Sequence, residues 1–234
     1  MTDEKPIGKA LESGAKLPFG EHLVNVLKAA LASAPFAGGI ASLMSDYIPN
    51  RRHERLEEFA GSLGEELQKL QDNVREDVIH TDEFAHLFEG CFRGAAENYQ
   101  AEKVAAFRNI LPNAATSPPG NAIEREYFLT LVGTLSSLHI RTLHFMARPQ
   151  SYLRAYDISA DRIRGGFSSF FPVAIPGVSL ELIKTAFGEL YQFGFINTDK
   201  SMFGITTSGQ GLQLLIGRVT PLGMKFIEFC TRPG

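Results

Sequence analysis

The sequence predicts a mostly α protein in two parts, an N-terminal helical bundle and a C-terminal α+β domain. Apolar residues recur at three- and four-residue steps through most of residues 20–111. The stretch Pro112-Asn-Ala-Ala-Thr-Ser-Pro-Pro-Gly-Asn121 lacks such a period and carries three prolines, which marks a linker over 112–121. Beyond it, over 122–234, two helical segments lead into helix, glycine, strand, loop, strand and a closing helix.

Composition sets the class. With 234 residues, 44% of them hydrophobic and 21% charged, the chain has enough apolar surface for a real core. Cys91 and Cys230 make no disulfide framework and no zinc spacing, so a reducing, cytoplasmic setting is expected. Residues 1–19 mix both charges without an apolar run and read as a flexible lead-in, not a secretory signal. Residues 1–134 hold 13 Lys/Arg against 20 Asp/Glu, a net of −7, and residues 135–234 hold 10 against 6, a net of +4. An anionic partner would therefore meet the second part more readily.

In the first part, Glu21 to Ala34 has a helical period until Pro35, and Ile40 to Ile48 is a second helical piece closed by Pro49-Asn50. Ala29 to Ser45 carries no charge. A membrane span needs about 20 mostly apolar residues. This segment is shorter, is broken by Pro35 and Gly38-Gly39, and is rich in weak hydrophobes, so a packed core segment is expected. Leu31, Phe36, Ile40, Leu43 and Met44 are its bulk, and they would reach lipid only in a conditional, triggered insertion, with Arg51, Arg52 and Arg55 beside the headgroups. Arg51 to Ile79 reads as one helix with Leu56, Leu63 and Leu70, and Ala60, Leu67 and Val74, in two heptad series. Such a seam could pair within the chain or across a dimer. Thr81 before Asp82-Glu83 is an N-cap for a helix through Phe84, Leu87, Cys91 and Ala95, extending toward Ile110 with Pro112 as its stop. Gly90 and Gly94 give that helix a small-residue face for a close neighbour.

In the second part, Ala122–Gly133 and Ser137–Met146 are helical, with Ser136 as a cap. Tyr152 to Arg164 is polar, and Phe167 to Pro176 reads as an aromatic, proline-bearing loop. Ser179 caps a helix with Leu182, Ile183, Ala186, Phe187 and Leu190 on one face, and Gly194 ends it. Strands are expected at Phe195–Asp199 and around Leu212–Val219, then a helix from Thr220-Pro221.

This order resembles winged helix-turn-helix domains. The phrases Leu190-Tyr-Gln-Phe-Gly-Phe-Ile196 and Val219-Thr-Pro-Leu-Gly-Met-Lys-Phe-Ile-Glu-Phe-Cys230 carry the resemblance over residues 122–231. It implies a winged-helix-like α+β fold that binds either DNA or protein. The arrangement of Phe107-Arg-Asn-Ile-Leu-Pro-Asn-Ala114, Leu135-Ser-Ser-Leu-His139 and Thr-Pro-Leu-Gly223 also resembles bacterial abortive-infection proteins of the Abi-alpha type. That implies a part in anti-phage defence, with no catalytic motif to carry over.

For DNA, the outward positions of the 180–192 helix would be Glu181, Lys184, Thr185, Gly188, Glu189 and Gln192, one lysine against two glutamates. Arg154, Arg162, Arg164 and Arg218 would have to supply the remaining phosphate contacts. Glu83-Phe-Ala-His86 has E-x-x-H spacing, but a di-iron bundle needs a second such pair and none exists. His139 and His144 stand five apart and do not share a face, and Ser208 lacks the glycine of a nucleophile elbow. No phosphate-binding glycine motif occurs, so no catalytic residue, metal or cofactor is expected. The reading is a bacterial-type, non-enzymatic interaction or regulatory protein, with a protein partner or self-association. A winged-helix DNA-binding regulator and a conditionally membrane-acting effector are the alternatives.

Overall fold

The computed structural model describes residues 47–117, 121–206, 209 and 211–231. The uncharged segment Ala29–Ser45, with Leu31, Phe36, Ile40, Leu43 and Met44, lies outside the described residues, and so does Ser208. The chain divides into two compact units, residues 1–74 and 75–234, so the expected linker at 112–121 falls inside the second unit.

In the first unit, α1 (Tyr47–Lys69) starts earlier than the sequence suggests. Pro49 stands in its first turn, where a missing amide donor breaks no bond. Leu56, Phe59, Ala60, Leu63 and Leu67 are buried along one stripe, while Leu70 and Val74 are half-exposed. The helix does not run on to Ile79. A 3₁₀ turn at Gln71–Asn73 follows it, and the Arg75 amide donates to the Ala115 carbonyl at 2.9 Å, which redirects the chain.

The second unit begins with the short α2 (Glu76–Ile79) and then α3 (Asp82–Glu97), which Thr81 caps by accepting from the Phe84 amide at 3.2 Å. Asn98 ends α3, its side-chain amide donating to the Gly94 carbonyl at 2.8 Å. A new helix, α4 (Ala101–Thr116), therefore takes up the residues expected to continue the first. Gly90 and Gly94 do admit close neighbours. A Cβ on Gly94 would stand 2.3 Å from the Phe107 ring of α4. Pro112 does not stop α4. Ala114 and Ala115 are buried beyond it, and the Asn113 amide donates to the carbonyls of Glu228 (2.7 Å), Phe229 (3.0 Å) and Thr231 (2.7 Å), so tertiary bonds hold the last turn.

α5 (Ala122–Thr134) and α6 (Ser137–Ala147) follow, and a capping box pairs the side chains and amides of Ser136 and His139. Pro149 opens α7 (Pro149–Ala155), and the supposed aromatic loop is α8 (Phe167–Ala174). Phe167, Phe170, Phe171 and Ala174, at steps of three and four, bury one face of α8 completely. That gain outweighs the single backbone bond Pro172 removes. Ser179 caps α9 (Leu180–Gln192) as expected, and Ile183, Ala186, Phe187 and Leu190 are buried, whereas Leu182 is 57% exposed. Thr220 caps the closing helix α10 (Pro221–Cys230).

The expected α+β, winged-helix-like domain is not there. Among the described residues no strand forms, and the two expected strands reduce to one antiparallel bridge between Ile196 and Val219. Around it the Asn197 amide donates to Arg218, and the Thr220 amide to Phe195, each at 2.9 Å. Between the bridge residues the chain winds into 3₁₀ turns at Lys200–Gly204 and Gly211–Leu215. Asp199 starts the first by accepting from the Ser201 amide, and Gly211 (φ +44°) lies against the Ile163 carbonyl, where a side chain has no room. Phe203 and Leu215 turn inward from these turns. The core is instead a cluster of Phe145, Phe167, Phe170, Phe171, Phe187 and Phe203, with ring centroids 5.1–6.0 Å apart in the edge-on contacts.

Gly94→Ala should cost about 2 kcal/mol of stability, because the added methyl overpacks Phe107; urea unfolding measures it. The buried Thr142 hydroxyl has no hydrogen-bond partner among the described residues. Thr142→Val, close in shape, should leave stability unchanged or raise it by about 1 kcal/mol in the same assay.

Candidate anion-binding cleft

α4, α6 and α7 line an open cleft of about 960 Å³, to which Cys230 and Thr231 also contribute. Each helix sends polar groups into it because its other face is committed to the core. On α6, Phe145 and Met146 are buried while Arg141 and His144 face the cleft. On α4, Phe107 and Ile110 are buried while Glu102 and Arg108 line it. α7 turns back along α6 from Arg148, placing Arg148 at the corner and Arg154 near its far end. Small and apolar residues, Ala101, Ala105, Ala106 and Ile140, complete the lining.

Four arginines thus share the lining with one glutamate among the described residues, a difference of three positive charges. Arg141 is held from several sides. Its Nε donates to the Tyr152 hydroxyl at 3.3 Å and lies 3.7 Å from Glu102 Oε1, and its guanidinium stands 4.9 Å from the Tyr156 ring centroid. Burial opposes its charge, but Tyr152, Tyr156 and Glu102 together hold its pKa above the ordinary value. The Tyr156 hydroxyl donates to Glu102 at 3.5 Å, and burial with the Glu102 charge pushes the phenol up to about 12. Arg148 donates from Nη1 to the Thr231 hydroxyl at 3.3 Å. Arg154 is exposed and has no ion-pair partner among the described residues. In the cleft wall Asn109, 8% exposed, donates to the Cys230 carbonyl at 3.3 Å, while its Oδ1 meets no donor.

Of the expected nucleic-acid contacts, the structure brings only Arg154 into this cleft. Arg162 and Arg164 lie exposed at the Ala160–Arg162 turn, where Arg164 Nε donates to the Asp161 carbonyl. Lys184 pairs with Glu181 on its own helix at 2.9 Å. Arg218 donates to the Leu214 carbonyl beside the Ile196–Val219 bridge. The outward face expected on α9 is also partly occupied, since Glu189 accepts from His139 Nε2 at 2.5 Å and ties α9 to α6. Arg108, Arg141 and Arg148 escaped the sequence reading because they are scattered over three helices, one charge in each short phrase.

No family model matches the chain, and it finds no match among curated proteins or solved structures. Among the described residues no group of three or more His, Cys, Asp or Glu side chains comes together to hold a metal. Glu83 of the E-x-x-H phrase pairs instead with Arg125 at 3.3 Å, and His86 is exposed. No helix among the described residues is long and apolar enough to cross a membrane.

His144 packs its ring edge-on to Tyr152, 5.5 Å between centroids, and burial followed by the charge of Arg148 lowers its pKa. Its folded pKa lies below the unfolded one. The neutral ring's contribution is therefore complete above about pH 6.5 and is lost as pH falls through the window below that. His144→Gln should accordingly flatten the fall in stability between about pH 7.5 and 5 relative to wild type; chemical unfolding across that range reads it.

Proposed function

We propose that this chain is a non-enzymatic interaction or regulatory protein that takes an anionic ligand in the α4–α6–α7 cleft. The observation that carries the reading is the lining itself, four guanidinium groups and one carboxylate around a single cleft. Guanidinium groups are weakly hydrated, always charged and shaped for carboxylate or phosphate oxygens.

The other groups in the cleft favour binding over chemistry. Burial pushes the Cys230 thiol up to about 12, which leaves it protonated and a poor nucleophile. The Thr231 hydroxyl donates to the Ile227 carbonyl at 2.6 Å, so its proton is engaged along its own helix. His144 lies against Tyr152, and no carboxylate among the described residues orients it as a triad base would be oriented. By the resemblance of Phe107–Ala114 and the Thr220–Gly223 phrase to Abi-alpha-type proteins, the proposed setting is bacterial anti-phage defence.

Arg154→Glu reverses a charge that supports no described hydrogen bond, so the fold should survive it. Thermal-shift and calorimetric titration with a panel of anions should show at least one that stabilises the wild type. Affinity should fall steeply as salt rises from about 50 to 500 mM, and by at least about tenfold in Arg154→Glu. Equal, weak responses in wild type, Arg154→Glu and a Lys184→Glu control would overturn the proposal.

A further inference from the structure

Granted that the cleft takes an anion, we infer that its ligand is a small molecule carrying two or more phosphate groups. The first ground is the kind of cation. Every charged donor in the lining is arginine and none is lysine, although the chain has both. A guanidinium engages two oxygens of one phosphate through parallel N–H groups, which a lysine ammonium cannot do.

The second ground is their spread. Arg148 and Arg154 bracket α7, six residues apart, which at helical rise is about 9 Å. Arg148 sits at the α6–α7 corner and donates to the Thr231 hydroxyl just past α10. Arg141 is held between Glu102 and the Tyr156 ring. Arg108, Arg141 and Arg154 come from three different helices, so a run or ring of phosphates, with more oxygens than one compact monoanion, can engage more of them. The cleft, about 960 Å³, lies at the upper end of the size range of small-ligand sites.

The third ground is Glu102, the single carboxylate in the lining among the described residues. It neutralises Arg141 from within the cleft and is held by the Tyr156 hydroxyl. It thereby occupies part of the phosphate-facing surface and repels any ligand of the same sign. Glu102 acts as an internal counter-ion that competes with a phosphate for Arg141, so it lowers affinity.

The experiment is calorimetric titration of the full chain with ATP, inositol hexakisphosphate and inorganic tripolyphosphate, with orthophosphate and citrate as single-phosphate and polycarboxylate comparisons, in metal-free buffer. At least one polyphosphate should bind about tenfold or more tightly than orthophosphate and citrate. Arg154→Glu should weaken that binding about tenfold, and Glu102→Gln should tighten it about threefold or more. Circular dichroism on each variant checks the fold, and Arg154→Ala serves as the milder second variant. Preference for ATP, for the inositol phosphate or for bare tripolyphosphate would each support the inference and say what the non-phosphate part adds. Citrate binding as tightly as the polyphosphates would sink the inference and leave the anion-binding reading standing. Binding of no anion would end both. Polyphosphate binding that ignores Arg154→Glu and Glu102→Gln would place the site elsewhere and overturn the inference.

Discussion

The second unit depends on the burial of one tyrosine. Tyr152 is fully buried, and its ring packs at 5.4 Å from Phe145, which joins α7 to the phenylalanine cluster. Its hydroxyl donates to the Ala174 carbonyl at the end of α8 and accepts from Arg141 Nε on α6. The other face of the same residue serves the cleft, because Tyr156 stacks on it at 4.4 Å and His144 meets it edge-on. A buried hydroxyl without partners costs about 1–3 kcal/mol, so the two hydrogen bonds fix where α6, α7 and α8 stand relative to one another. The arginines of the cleft are aimed by that arrangement.

Local charge and total charge point in opposite directions in this protein. The chain as a whole is at −3, yet the cleft lining holds four arginines and one glutamate. Over about 8–10 Å ionic screening removes most of the influence of distant carboxylates, so a ligand in the cleft feels the lining and little else. Glu102 matters more than the surplus of acids elsewhere because it sits within 3.7 Å of Arg141.

Several elements were legible in the sequence because they obey short-range rules. Thr81, Ser136, Ser179 and Thr220 each stand before a helix with a hydroxyl placed for its first amides, and all four act as caps. The close approach allowed by Gly90 and Gly94 was equally readable. The Phe167–Ala174 helix carried a readable signal too, apolar residues at 167, 170, 171 and 174, but Pro172 masked it. The strands were misjudged for a different reason. Phe195–Asp199 and Leu212–Val219 have strand-like composition, but a ladder needs consecutive paired residues. Gly209, Gly211 and Gly217, all at positive φ, together with the inward turn of Phe203 and Leu215, leave only the Ile196–Val219 bridge.

The sequence by itself determined where several helices of the second unit begin and most of their apolar positions, and it carries no metal or glycine-loop motif. Those properties come from hydrogen bonds and periodicities within a few residues. Only the tertiary structure decided that α4 continues past Pro112, through the bonds from Asn113 to the end of α10, and that α1 ends at Lys69. It alone decided the cleft. Arg108, Arg141, Arg148 and Arg154 lie on different turns of α4, α6 and α7, and only the packing around Tyr152 brings guanidinium groups up to 46 residues apart to one surface.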